Sequence, residues 1–265
     1  MWQYIVTSNF IFNLKYNKLI RLSFFLLSAK FIGLACIFIL NHSCAKKLNA
    51  SNLLEKSLVA HGGKKVWSKV SEISYLKNIE LYDSIGKLEK EINQKIKHTW
   101  NPTSTKIQWS NVDDHYVALL QEEKIELFKN NQIVLDSQEL AQAFDNNKGA
   151  LYVFWQPYKL IDSNARLDYI GLVTLLDSIS VHSLKVSYPF DPGADVWYYY
   201  FNKKNFMLKA TQVNHDGKIS LIINESVEDK TGLFLNKTRK SYFVDSLGKI
   251  KYLRATYKYA ITSFN

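Results

Sequence analysis

Two thiols and six imidazoles are the groups in this 265-residue chain whose chemistry is most readily weighed from sequence. The thiols are Cys36 and Cys44, and no cysteine follows them. Everything after Cys44 therefore lacks an internal disulfide, a thiolate nucleophile and a thiolate metal site. Past that point the histidines are His61, His98, His115, His182 and His215. No two stand four apart, and no His-Glu-x-x-His or comparable ligand spacing occurs. His61-Gly62-Gly63 and His215-Asp216-Gly217 place two of them beside turn residues, so both read as turn or surface positions. His98 alternates in phase with Leu88, Ile92, Ile96 and Trp100 and reads as a hydrogen-bonded interior or cavity-mouth residue rather than a base. Asp113-Asp114-His115 gathers proton- and metal-handling groups, but neighbours on an extended chain point to opposite faces, which makes it a solvated loop. A Gly-x-Ser-x-Gly elbow and a phosphate-cradling glycine loop are both missing. The expectation is a protein without catalytic residues, metal or cofactor.

What the sequence has in quantity is aromatic surface: 16 Tyr, 15 Phe and 6 Trp, against only 10 Gly and 4 Pro. Aromatic side chains suit a pleated, half-buried surface, so the balance favours strands. Trp109, Phe154, Trp155, Tyr158, Trp197 and Tyr199 are the residues best placed by the sequence to touch an apolar ligand, and each would serve equally as ordinary core. Trp197-Tyr198-Tyr199-Tyr200-Phe201 is aromatic on both faces of a strand, so one face must meet something other than water.

A hydrophobic fraction of 47% and a charged fraction of 22% exclude a disordered or fibrous chain. The formal charge of +10 invites a nucleic-acid partner, yet four of the 34 basic residues fall within residues 1–43, which carry no acid. The remainder holds 30 basic and 24 acidic residues, a mild +6 with no run of five lysines or arginines. Nucleic acid is not an expected partner.

Those first 43 residues have the layout of a secretory signal. Lys15, Lys18, Arg21 and Lys30 precede the apolar run Phe31–Leu40, which ends in Asn41-His42-Ser43-Cys44. Ser43-Cys44 resembles the cleavage point of a bacterial lipoprotein, whose mature first residue is a lipid-modified cysteine. Asn41 and His42 depart from that pattern. An uncleaved anchor over residues 19–40 is the alternative, but Lys30 at its middle would cost about 2.5–3.5 kcal/mol at the bilayer centre. Cys44 is thus expected to carry lipid and to tie the protein to the envelope. Ala45-Lys46-Lys47 brings no acidic cluster after it, which by the same resemblance places the protein at the outer membrane, facing the periplasm.

Residues 44–51 read as a tether leading into one domain over residues 52–265. Asn52 with Glu55 forms an N-cap signal, and His61-Gly62-Gly63 ends that helix before a second short one bearing Val66, Trp67 and Val70. From Glu72 the period changes from 3.6 to 2, and strands follow one another to residue 261, separated by short turns such as Asp83–Lys87 and Asp245–Gly248. A helix starting near Ser137 and an aromatic stretch, Leu151–Leu160, interrupt the series. The fold class is mostly β with α: ten to twelve antiparallel strands in a curved sheet, with helices at 52–70 and 137–156 to cover its apolar face.

His61-Gly62-Gly63 with Trp67, then Phe154-Trp155-x-Pro157-Tyr158-Lys159-Leu160, Leu184–Tyr188 and Asp195-x-Trp197–Phe201 together resemble a family of Bacteroidota lipoproteins. That family is related to the outer-membrane lipoprotein-sorting proteins, the LolA/LolB-like superfamily. The resemblance implies an unclosed antiparallel half-barrel with helices over its concave side. It also implies a monomeric, non-catalytic carrier whose apolar cavity takes a lipid or the acyl group of a lipoprotein. The competing expectation is a structural or interaction lipoprotein whose core is filled. Replacing Cys44 by Ser is expected to abolish incorporation of labelled palmitate and to release the protein from membranes; retention without label would point to the anchor instead.

Overall fold

The computed structural model describes residues 47–161, 164–189, 195–215 and 217–265. The expected signal region, its expected cleavage point and Cys44 lie outside the described residues. Two helices open the described chain: α1, Ala50–Ala60, and the four-residue α2, Lys64–Trp67. Six strands follow: β1 Glu72–Tyr82, β2 Leu88–Trp100, β3 Thr103–Ser110, β4 His115–Gln121, β5 Lys124–Lys129 and β6 Gln132–Ile133. A long helix, α3, Ser137–Phe154, and a 3₁₀ turn at Tyr158–Ile161 lead to β7 Arg166–Leu175, β8 Ile179–Ser187, β9 Val196–Asn202 and β10 Leu208–His215. The last strands are β11 Lys218–Val227, β12 Asn236–Val244 and β13 Ile250–Phe264.

All thirteen strands form one antiparallel, curved and unclosed sheet in the order β6-β5-β4-β3-β2-β1-β13-β12-β11-β10-β9-β8-β7. It consists of two meanders, β1–β6 and β7–β13, joined only where β1 pairs with β13. Register carries the inward face straight across the first meander: Tyr75, Ile96, Ile107, Ala118 and Leu127 stand opposite one another on five successive strands. The parallel row is Ile73, His98, Thr105 and Leu120. In the second meander the matching row runs Leu184, Tyr199, Thr211, Ile222, Ser241 and Ala255.

The helices cover this face. Leu53, Leu54 and Leu58 of α1 join Ile73, Tyr75, Ile96, Leu184 and Phe201 in the main core. Ala143 of α3 packs with Ala118 and Leu127, while Phe154 at its far end stacks on Tyr75 with ring centroids 3.9 Å apart. On the opposite face of the second meander, Leu175, Val181, Tyr200, Ala210, Leu221 and Val244 form a smaller apolar cluster. That cluster receives the second face of the Trp197–Phe201 strand, whose aromatic doubling is visible in the sequence.

Helix starts differ slightly from expectation. The side chain of Asn49, not Asn52, caps α1 by accepting from the Asn52 N–H at 2.8 Å, and Asp136 caps α3 through the N–H groups of Gln138 and Glu139. Asn52 is recruited as the donor to a cap three residues upstream, so the helix begins inside the expected tether. The end of α1 follows the sequence signal: Gly62 N–H donates to Val59 O at 3.1 Å and Gly63 N–H to Leu58 O at 2.8 Å, the paired bonds of a Schellman cap.

Gly62 has a second constraint. Its φ is +99°, and a Cβ added there would stand 1.9 Å from the carbonyl oxygen of Gly232. That carbonyl belongs to the β11–β12 loop, which the buried Glu228 carboxylate fixes by accepting from Lys230 N–H (2.8 Å), Thr231 N–H (3.1 Å) and Leu235 N–H (3.2 Å). Gly62→Ala is therefore expected to cost at least about 2 kcal/mol, combining backbone strain with displacement of a fixed loop. Urea unfolding would read this as a lowered midpoint at unchanged slope; a neutral result would contradict the close approach.

Candidate functional site

Beyond its caps, α3 runs from the β4–β5 side to the β9–β12 side of the concave face, and the site is organised around its second half. On one flank is a cavity of about 640 Å³. Its walls are Leu120, Leu151, Tyr152, Val153, Tyr188 and Trp197, with Lys148, Lys159, Glu122 and Glu123 among its polar lining. On the other flank, between α3 and strands β9–β13, lies a second cavity of about 360 Å³. The two share Gly149, Val153 and Trp197 in their linings. Gly149 is a helical glycine at which an added Cβ would meet no atom within 4 Å, so the missing side chain leaves open space beside the helix.

A hydrogen-bonded chain joins the flanks beneath α3. The hydroxyls of Tyr188 and Tyr199 both donate to Tyr152, at 2.9 and 2.8 Å. Gln156 Nε2 donates to the Tyr199 hydroxyl at 3.0 Å, and its Oε1 accepts from Arg239 Nη2 at 3.2 Å. Arg239 also donates from Nη1 to the Val153 carbonyl at 3.2 Å and from Nη2 to Thr211 Oγ1 at 3.4 Å. Val153 lies in the last turn of α3, where carbonyls lack intrahelical donors and the helix dipole is negative, so a cation there is favourable. Burial, with the neighbouring tyrosines, pushes the Tyr152 hydroxyl far above the usual phenol range, and burial likewise raises Tyr199. Both remain neutral donors and acceptors at any physiological pH.

The six aromatics picked out by sequence divide between these features. Trp197 lines both cavities. Phe154, Trp155, Tyr158 and Tyr199 are among the fully buried side chains of the main core. There Trp67 of α2 meets Trp155 at 4.3 Å and stacks on Tyr158 at 4.7 Å, and Trp100 closes on Trp155 at 4.8 Å. Tyr199 still reaches the site through its hydroxyl. Trp109 stands apart, stacked on Tyr116 at 5.0 Å in the wall of a groove of about 310 Å³ beside the first half of α3. Tyr152, Gln156 and Arg239 were not singled out by the sequence. Tyr152 sits in the aromatic Leu151–Leu160 stretch, but nothing in its spacing distinguishes it from its neighbours.

No protein-family profile matches the sequence, and no curated protein matches it. Solved structures do. A LolA superfamily protein from Nitrosomonas europaea superposes over 80% of this chain and 92% of its own, with a TM-score of 0.51 at 10% identity. The fold is LolA-like. A DUF1329 family protein from Desulfovibrio piger aligns over 82% of this chain and 92% of its own at 6% identity, with a TM-score of 0.41. The Mycobacterium tuberculosis lipoprotein LppX covers 80% and 94% at 12% identity, with a TM-score of 0.29. At such identities the LolA-like similarity concerns architecture alone.

The histidines bear on stability. Among the described residues there is no group of three or more His, Cys, Asp or Glu side chains able to hold a metal. His98 is fully buried, with Nε2 3.0 Å from the Tyr75 hydroxyl and Nδ1 2.9 Å from Thr105 Oγ1, as its alternation predicts. His61 keeps the expected turn position, as the C-cap of α1, but is not at the surface: it is 3% exposed, because the Schellman turn directs it inward against β10. Its Nδ1 lies 2.7 Å from the Ser57 carbonyl, while Nε2 accepts from Leu208 N–H at 3.4 Å, which requires the neutral ring with its proton on Nδ1. Burial lowers His61 to about 4; burial, then the charge of Lys159, lowers His98 to about 3. Above an unfolded value near 6.5 both rings are neutral in either state and impose no pH slope. Below it the unfolded chain takes up protons that the folded chain refuses, so stability falls as pH falls towards the folded values. By about pH 4.5 the loss is on the order of 2 kcal/mol per ring. Urea unfolding near pH 7 and about pH 4.5 is expected to register this drop, with a shallower dependence in His98→Gln.

Proposed function

We propose that this protein is a non-catalytic, lipid-anchored envelope protein that binds or carries a hydrophobic ligand, a lipid or the acyl group of a lipoprotein. The anchor in this reading is acylated Cys44, at the outer membrane and facing the periplasm. The single observation that carries the proposal is the cavity of about 640 Å³ beside α3, walled by Leu120, Leu151, Tyr152, Val153 and Trp197. Ligand clefts of this kind fall in a range of roughly 300–1,000 Å³. A LolA-like architecture supports the reading, as does the family resemblance of the aromatic motifs. In this view Trp197 contacts ligand directly, while Phe154, Trp155, Tyr158 and Tyr199 are packed core and touch none. Trp109 would serve any occupant of the neighbouring groove.

The physics of carriage asks for little else. Each buried CH₂ is worth about 0.8 kcal/mol whether it lies in membrane or in a matching protein cavity, so exchange between them is close to balanced and reversible. Two acyl chains on Cys44 would hold the protein firmly on its membrane while the domain exchanges ligand.

The density of the main core favours one alternative, a structural or interaction lipoprotein without a small ligand. Trp155 and Phe154 are each 1% exposed, so that end of the half-barrel is full. Native mass spectrometry of gently extracted protein separates the two readings, an added lipid mass supporting carriage. Uptake of a fluorescent fatty acid by the soluble domain is the second test. Gly149→Phe, which places a ring in open space beside the helix, is expected to abolish uptake, whereas Gly149→Ala should raise stability by up to about 1 kcal/mol and spare it. Protein that extracts lipid-free and takes up no probe would overturn the carrier reading.

A further inference from the structure

Arg239 is 3% exposed, yet no carboxylate lies within ion-pair reach of it among the described residues. Its partners are all neutral: the Val153 carbonyl, Gln156 Oε1 and Thr211 Oγ1. A guanidinium has five N–H donors, and these three bonds leave two unused. One is the buried Nε–H, which has no acceptor. Burying a cation without a counter-charge is costly, and the dipole of α3 offsets only about half an elementary charge at that end.

Arg239 also lines the cavity of about 360 Å³ on the sheet side of α3. Lys77 lies in the same wall and has no carboxylate partner among the described residues; its Nζ rests 5.6 Å from the Tyr257 ring and 6.0 Å from that of Tyr259. Ser220, Ser241, Tyr257 and Tyr259 add hydroxyls to the lining, and Asp145 is its one carboxylate. Two unpaired cations and several hydroxyls around an open volume are the complement of a small anion. Arg suits carboxylate and phosphate oxygens because its planar fork can offer two parallel donors.

We infer that this cavity receives the anionic group, a carboxylate or a phosphate, of an amphiphile whose apolar part lies in the adjoining larger cavity. The inference rests on the carrier reading above and sharpens it from any hydrophobic ligand to an acidic one. The shared lining at Gly149, Val153 and Trp197 is where head and tail would join. A purely structural Arg239, tying the end of α3 to β12, makes the opposite prediction: its loss would weaken all ligands alike.

The test is displacement of a bound fluorescent probe by four amphiphiles of equal chain length: hexadecanoate, its methyl ester, hexadecyl phosphate and hexadecanol. The two anions are expected to bind at least about tenfold tighter than their neutral counterparts, as one charge-assisted contact would give. Lys77→Gln should reduce that ratio, Arg239→Met should bring it near unity, and Arg239→Lys should keep part of it. Lys77 is only half-buried, so its variant keeps the test decisive where Arg239→Met fails to fold. Neutral and anionic probes binding alike to the native protein, or a ratio unchanged in the variants, would overturn the anion site and leave the carrier standing. No binding by any of the four would overturn both. Inorganic phosphate in large excess identifies the source: competition with hexadecanoate that is lost in the variants would support the anion site with a free anion as its occupant, and absence of competition supports a headgroup.

Discussion

The two unpaired edges of the sheet, β6 and β7, are consecutive in the chain, and this dictates the rest of the molecule. A curved sheet of thirteen strands has an apolar concave face that must be covered, and its edges lie at opposite ends of the strand order. The chain must therefore cross from one edge to the other, and the concave face is where a crossing element buries most surface. The eighteen residues of α3 rise about 27 Å, enough to reach from the β4–β5 side to β9 and β12. α1 and α2 fill the space the crossing helix leaves at one end, and the remaining space beside its second half stays open as the two cavities.

A helix that ends inside a half-barrel also brings its unsatisfied carbonyls there. The structure meets that demand at Val153 with Arg239 from β12, whose guanidinium also donates to Gln156 Oε1, one residue beyond the C-cap Trp155. The polar chain from Tyr188 through Tyr152, Tyr199 and Gln156 to Arg239 follows from the same need: hydroxyls placed between an apolar floor and a helix end must bond to one another. Coverage of the sheet and the chemistry of the cavities are thus two results of one crossing. The long aromatic stretch around Phe154 and Trp155 lies at this point because large rings close the contact between helix end and sheet.

Much of this was legible in the sequence, where periodicity is strong. The change at Glu72 from helical to alternating spacing, the Asp83–Lys87 turn and the alternation around Ile92, Ile96 and His98 correspond to β1 and β2 as observed. The fold class and the helical insertion are likewise as expected. Strand order was not readable, since alternation says which face a residue occupies and not which strand it adjoins. His61 was misread because a glycine pair signals a turn but not the side to which the turn is packed. Arg239 carries no sequence signal at all: in Lys237-Thr-Arg-Lys-Ser241 both faces of the strand are polar, so alternation cannot mark the buried one. Of the aromatic candidates, Trp197 and Phe154 look equivalent in sequence, and only the path of α3 makes one of them cavity wall and the other core.

The pairing of β1 with β13 bears on how the protein reaches this state. Ser71, at the mouth of β1, donates its hydroxyl to the Asn265 carbonyl across a separation of 194 residues, and the whole of β1 is zipped to β13 beyond that point. The first strand of the sheet to be made is therefore among the last to find its second neighbour, and until then one of its edges is open. Such long-range closure is slow, and exposed strand edges invite pairing with the wrong chain. A polypeptide of this topology gains from being kept apart from its copies until its first and last strands have paired.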